Sequence, residues 1–246
     1  GSVVNLGTNY DDNAQGLYVP TYVIEGDEER GIEPMAPSLK TVRDLKDHWE
    51  IFRDEEQPGK GRIYGSPPTW TTDVQLRTKL EHYGLLDSYT YFSPGSASSL
   101  NISLAGAYEK GKAWVGYNWE PTWVIGKYDM TLLEDTPYDD ELWNDGFRCE
   151  FPSEDVRITV HRDVPEDHPE VSEFLKNYRT SSGLTAECLA HMKDNETTPR
   201  EAAMWFLREN EDLWTKWVPD EVGERVKQVI FDPMPEAQKK KPGTSQ

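Results

Sequence analysis

Gly116-Tyr117-Asn118-Trp119-Glu120-Pro121-Thr122-Trp123 is the stretch from which the fold of this chain can be read. Upstream of it, Ala113 to Tyr117 is a short apolar and aromatic run, as expected of a buried strand. The run passes directly into a turn marked by Pro121, with Trp119 and Trp123 on either side. A second segment has the same build. Arg62-Ile63-Tyr64-Gly65 reads as a short strand, ends in Ser66-Pro67-Pro68-Thr69-Trp70, and leads into a helix from Thr71 or Thr72. Val74, Leu76, Leu80 and Tyr83 are its apolar positions, and Gly84 is placed to stop it. Large aromatics at strand ends are where α/β folds place ligand sites. For one tryptophan taken alone, core packing is the commoner role; two such turns in one chain favour a site.

Outward from these two turns, strands and helices alternate. Val3-Val4-Asn5-Leu6 and Leu17 to Ile24 read as strands, with Pro20 marking an edge or an interruption. Thr41 with Asp44 forms a capping pair ahead of Val42, Leu45, Trp49 and Phe52 at helical spacing. A helix begins at Ser96 and carries Leu100, Leu104, Ala107 and Tyr108 on one face to Gly111. Met130 to Glu134 is a strand, and Asp135 to Gly146 a loop. Val156 to Val160 alternates as a half-exposed strand, and amphipathic helices follow at about 168–180, 184–194, 199–210 and 219–230. Pro199 sits at a helix start, where its missing N–H does no harm. Trp49 and Trp205 are spaced as core residues and are read as packing. The pattern predicts an α/β fold, and the tail 232–246, with its Lys239-Lys240-Lys241 run, reads as disordered.

The chain has 246 residues, 36% of them hydrophobic, and a net charge of −19. That charge repels a phosphate backbone and argues against nucleic acid as a partner; its ordinary reading is solubility. No stretch approaches the ~18–20 apolar residues of a membrane helix. Cys149 and Cys188 could pair in an oxidising compartment or stay apart, and no Cys/His spacing suits zinc. Five scattered histidines form no HExxH motif, no serine sits in a GxSxG elbow, and no glycine-rich phosphate loop occurs. Among 45 carboxylates, a glycosidase-like pair such as Glu120 with Asp73 is one of many accidental pairings. No cofactor or metal is implied, and the chain is read as a binder rather than an enzyme.

One ligand class suits tryptophans in turns. A trimethylammonium group carries charge but offers no N–H, so acceptors cannot grip it specifically. Aromatic faces attract it through their quadrupole at ~2 kcal/mol or more when desolvated. Several rings together reach micromolar affinity, roughly −8 kcal/mol. The carboxylate at the other end of a betaine suits the free backbone N–H groups of a helix's first turn. Trp70-Thr71-Thr72 offers a ring and helix-start amides at adjacent positions.

Gly16-Leu17-Tyr18-Val19-Pro20, Gly61 to Gly65, Pro94-Gly95-Ser96, Gly116 to Trp123, and Tyr128-Asp129 through Leu133-Glu134 resemble the glycine betaine, proline betaine and choline-type periplasmic binding proteins of ABC importers. Glu201-Ala202-Ala203 to Phe206-Leu207, Trp214 and Trp217-Val218-Pro219 resemble their C-terminal helices. The likeness runs through nearly all of residues 3–231. It implies a type II periplasmic-binding-protein-like fold of two lobes joined by a hinge, with a quaternary ammonium compound held in the cleft by an aromatic cage. Trp70 and Trp119 match the box tryptophans, and the amides of Thr71 and Thr72 match those that hold the ligand carboxylate. Trp123, Tyr117 and Tyr18 are further cleft residues on the same grounds. The implied division is a hinge and first-lobe strand at 1–9, a second lobe at 10–114, and a hinge with the C-terminal part of the first lobe at 115–231. Closure would bend strands near Leu6–Tyr10 and Val115–Trp119.

The resemblance further implies an extracytoplasmic location and docking to the importer's membrane subunits. Two departures stand out. Family chains carry a longer segment before the point matching Val3, so the first lobe is expected to be incomplete and its exposed apolar surface to favour self-association. They also often have Pro-Gly-Trp where this chain has Pro68-Thr69-Trp70. A sensor or interaction module of the same fold, and a carboxylate-dependent hydrolase, are the alternatives. The ligand stays open among glycine betaine, proline betaine, choline, carnitine, trimethylamine N-oxide and sulfonium analogues.

Overall fold

The computed structural model of the chain describes residues 1–231; the tail expectation for 232–246 lies outside the described residues. Two compact units form. One comprises Gly1–Asp11, Asp155–Ser181 and the described residues from His191; the other comprises Asp12–Glu154 and Ser182–Ala190.

The larger unit is built on a five-stranded sheet. Its strands are β2 (Gln15–Pro20), β3 (Gly61–Tyr64), β4 (Tyr89–Phe92), β5 (Gly116–Trp119) and β6 (Met130–Leu132), in the order β4-β3-β5-β2-β6. β3 runs parallel to β4 and β5, whereas β2 is antiparallel to β5 and β6. Parallel neighbours need crossovers. The helix Thr71–His82 joins β3 to β4, and the helix Ala97–Glu109 joins β4 to β5. β5 and β6, both beyond residue 115, belong to this sheet, each beside β2.

Local chemistry sets these elements. The Ser96 hydroxyl accepts from the Ser99 N–H at 3.1 Å and starts the 97–109 helix. The 71–82 helix stops at Gly84, whose φ of 69° is left-handed and costs glycine nothing. At Gly65 the two parallel strands end so close together that an added Cβ would lie 2.0 Å from Tyr91 Cζ. Leu17, Val19, Ile63, Leu76, Leu80, Leu100, Leu104 and Val115 are buried in one continuous core, with Trp49 packed at its edge. Each large aliphatic side chain so buried contributes about 1.5–3 kcal/mol.

Several expectations shift. Leu17 to Ile24 does not continue as one strand: β2 ends at Pro20, which pairs with Met130, and Thr21–Glu25 turns helical. The Thr41–Asp44 capping box is present, but it opens a 3-10 segment, Val42–Asp47, rather than a longer helix. Val74, read as an apolar helix position, is 63% exposed. The segment 135–146 contains a short helix, Asp140–Asn144.

A buried charged cluster ties the 71–82 helix to the segment after β6. Lys79 Nζ donates to Asp135 Oδ2 at 2.5 Å and to the Cys149 carbonyl, while the Tyr83 hydroxyl donates to Asp135 Oδ1 at 2.6 Å. Burial pushes the Lys79 ammonium below its usual range, against the pull of Asp135. Cys149 and Cys188 are both free thiols.

The smaller unit has a two-stranded antiparallel sheet of β1 (Val3–Tyr10) and β7 (Val156–His161), with register irregularities at Asn5/Gly7 and Thr8/Tyr10. A lone strand pair is marginal in water. The Pro169–Asn177 helix packs against β1, and the helices of this unit form an apolar cluster of their own. Pro169–Asn177, Pro199–Glu209 and Asp220–Phe231 contribute to a cluster around Trp214, Trp217 and Ile230. The Trp214 indole donates to the Leu207 carbonyl at 2.7 Å, and Thr198 and Glu201 close a capping box ahead of Pro199. Trp205 stacks flat on His191 at 4.1 Å.

Candidate functional site

The loops that leave β3 and β5 emerge at the same, carboxyl end of these neighbouring strands. That is the end where parallel sheets present ligands. The helix 71–82 leaves on one face: its Leu76 and Lys79 share a cavity wall with Leu17. The opposite face carries the 97–109 helix, whose Asn101 accepts from Asn118 at 3.1 Å. The two tryptophan turns therefore meet where the connections diverge.

Trp70 and Trp119 come together there. Their ring centroids are 5.1 Å apart and their planes cross at 68°, an edge-to-face contact. Tyr117 lies nearly parallel to Trp119 at 5.8 Å, and Phe151 packs against Tyr117 at 6.0 Å. Both tryptophans are half-buried. Strand alternation explains why Tyr117 and Trp119 share a face.

Trp70 is the cap residue of the 71–82 helix, with extended backbone at φ −90° and ψ 144° and no side-chain cap. Thr71 and Thr72 are the first two residues of the helix, where backbone N–H groups lack an intrahelical partner. The Tyr117 hydroxyl donates to Gln15 Oε1 at 2.8 Å. Burial pushes the Tyr117 hydroxyl up to about 12, the Thr72 hydrogen bond opposing it, so Tyr117 remains a donor at neutral pH.

Tyr18 is fully buried and hydrogen-bonds Glu120 Oε1 at 3.0 Å. Burial first, then the neighbouring Glu120 carboxylate, raises its pKa far above the usual phenol range. Trp123 opens the helix Trp123–Lys127, and its ring lies 6.2 Å from Tyr128. The ring contacts thus join Trp70, Trp119 and Tyr117, while Tyr18 supports the Glu120 turn from behind.

The carboxylates nearby are held by the protein. Glu120 Oε2 also accepts from the Ser182 hydroxyl at 3.2 Å. Asp73, buried at the helix's first turn, accepts from Ser93 at 2.7 Å, and from Tyr91 and Arg77 at 2.9 Å each. Burial works to raise the Asp73 carboxyl, but these donors, Ser93 foremost, outweigh it and hold it below the usual carboxylate range. A glycosidase acid needs the reverse shift. Among the described residues, no group of three or more His, Cys, Asp or Glu side chains is arranged to hold a metal ion. None of the described helices is long and apolar enough to cross a membrane.

Sequence reasoning missed Gln15 and Phe151 at this cluster. Gln15 lies directly opposite Trp119 in the β2–β5 ladder. No short motif marks it; only the strand register brings it to the site.

Residues 1–209 match the family described as the substrate binding domain of ABC-type glycine betaine transport systems, OpuAC. A trimethylamine N-oxide-binding protein of Pelagibacter ubique (strain HTCC1062) is 27% identical over 222 residues, covering 87% of this chain and 67% of that protein. The glycine betaine-binding periplasmic protein OusX of Dickeya dadantii (strain 3937) is 25% identical over 136 residues, covering 50% of this chain and 40% of that protein. The chain thus spans about two thirds and two fifths of these two relatives. Among solved structures, lactococcal OpuAC in its closed-liganded conformation complexed with glycine betaine aligns with a TM-score of 0.57 at 20% identity, over 88% of this chain and 71% of that one. An ABC-transporter choline binding protein in complex with choline aligns with a TM-score of 0.55 at 19% identity, over 92% of this chain and 73% of that one. The mixed α/β architecture of the two units is the periplasmic binding protein fold of these structures. By the match over residues 1–209, the chain belongs to the family of substrate-binding domains of ABC-type glycine betaine transport systems.

Proposed function

We propose that this chain captures a quaternary ammonium or betaine-type solute for an ABC importer, with the cation seated on Trp70 and Trp119. The observation that carries the proposal is the edge-to-face pair of these rings, 5.1 Å apart, immediately ahead of the helix start at Thr71. Tyr117 extends the aromatic surface, and the Thr71 and Thr72 amides face the anionic end of the ligand. Two desolvated rings at ~2 kcal/mol each account for about a thousandfold in affinity. Tyr18 positions the Glu120 turn, and Trp123 is a flanking residue. Capture is noncovalent, without catalysis or cofactor. The partners are the solute and the importer's membrane subunits, and the site of action is outside the cytoplasmic membrane, in keeping with a relative named as periplasmic.

The test is calorimetric titration of the chain with glycine betaine, choline and trimethylamine N-oxide, beside Trp70→Ala and Trp119→Ala variants shown by circular dichroism to be folded. Saturable binding that both substitutions weaken at least tenfold supports the proposal. Binding that survives both substitutions places the cation elsewhere and overturns it.

A further inference from the structure

Gln15 is the polar side chain that the strand register delivers to the aromatic cluster. It sits opposite Trp119 in the β2–β5 ladder, so the two side chains share a face. It also lines a cavity of about 350 Å³ shared with Leu17, Leu76, Lys79, Asp135 and Phe151. That volume falls in the roughly 300–1,000 Å³ range of small-molecule sites. Phe151 is the residue that packs on Tyr117, so this cavity adjoins the aromatic cluster.

The orientation of the carboxamide follows from the Tyr117 hydroxyl, which donates to it: Gln15 presents its carboxamide oxygen to receive that hydrogen bond, at 2.8 Å. The Nε2 amino group is thereby turned the other way. Among the described residues it has no acceptor within hydrogen-bond reach. A carboxamide whose oxygen is fixed by a buried tyrosine, and whose two N–H donors are free beside a cavity, is built to donate to an incoming oxygen.

We propose that the Gln15 Nε2 group binds the oxygen end of the ligand, a carboxylate or an N-oxide, together with the Thr71 and Thr72 amides, while the cation rests on Trp70 and Trp119. This rests on the aromatic assignment made under Proposed function. Gln15 then sets specificity: it rewards a compact solute with an acceptor oxygen a short reach from the quaternary nitrogen, and does nothing for a cation without oxygen.

The test uses three probes on the full chain: glycine betaine, choline, and tetramethylammonium, which has no oxygen. Gln15→Glu keeps the acceptor for Tyr117 and replaces both donors with a negative charge. Gln15→Met removes donors and acceptor without adding charge. Glycine betaine is expected to weaken about tenfold or more in both variants, the equivalent of one lost hydrogen bond to a charged group. Tetramethylammonium should be unchanged in Gln15→Met. Choline, whose hydroxyl can donate to a carboxylate, should hold its affinity in Gln15→Glu. If glycine betaine and tetramethylammonium weaken equally in both variants, or if glycine betaine is unaffected, Gln15 does not read the oxygen and the inference fails. The aromatic assignment stands apart: tetramethylammonium binding that is lost in Trp119→Ala upholds it whatever Gln15 does. A wild-type chain that binds none of the three probes removes both.

Discussion

Replacing Lys79 by Met tests whether the last turn of the 71–82 helix is held by a buried ion pair. Lys79 is 2% exposed, and the Asp135 side chain 7%. With the ammonium gone, Asp135 keeps only the Tyr83 hydroxyl and the Thr136 N–H, both on its Oδ1. Oδ2 is left charged, buried and without its cation, and the Cys149 carbonyl loses its donor. Breaking a buried pair from one side costs about 3–5 kcal/mol. That is a large share of the ~5–15 kcal/mol by which a domain is stable. Replacing both partners, Lys79→Met with Asp135→Leu, leaves no orphan charge and costs less than the sum of the single changes. The assay is urea unfolding followed by tryptophan fluorescence, for wild type, both singles and the double. A pH series adds an independent check. In Asp135→Asn the burial that lowers Lys79 loses its main opponent, so its folded-state pKa falls further below the ~10.4 of an unfolded chain. Between those two values the unfolded chain binds more protons. The stability of Asp135→Asn should therefore rise as pH climbs toward about 10, more steeply than that of wild type. Strictly additive single and double costs, or a Lys79→Met cost below about 1 kcal/mol, would refute the coupling.

Asp73→Asn should cost about 1–3 kcal/mol at neutral pH, because Ser93, Tyr91 and Arg77 all donate to that carboxylate. Its folded pKa lies below the unfolded value of about 3.9, so the cost should fade as pH falls below about 4; acid unfolding curves of the two proteins, converging there, check the sign. Gly126→Ala places a Cβ 2.2 Å from the Ala186 carbonyl oxygen and 2.3 Å from its carbon, backbone that has no side-chain freedom to yield. A loss of about 1–3 kcal/mol is expected in thermal unfolding, and a neutral result would refute the close backbone approach. Thr198→Ala removes one arm of the capping box before Pro199 and should cost about 1 kcal/mol, whereas Thr198→Ser should cost little.

The sequence discloses most where one segment carries its own instructions. Ser96 ahead of an apolar periodic run, Thr198 with Pro199, and Gly84 after Tyr83 each mark a helix end through a bond or a backbone angle made within a few residues. Tyr89 to Phe92 has no such mark. It is four residues long, without apolar–polar alternation, and becomes β4 only because Gly61 to Tyr64 lies alongside. The 41–52 segment shows the converse: its cap is local and correct, but helical spacing alone did not carry the helix past Asp47. The site divides along the same line. Trp70 and Trp119 are conspicuous as turn residues, yet their 5.1 Å contact depends on β3 lying beside β5, which neither turn encodes. Gln15 is less visible still, since it reaches Trp119 through a ladder between segments about a hundred residues apart. A glutamine at the start of a strand looks like surface until its partner is known. The two tryptophans of the proposed site are therefore visible as residue types, whereas Gln15 comes into view only through register.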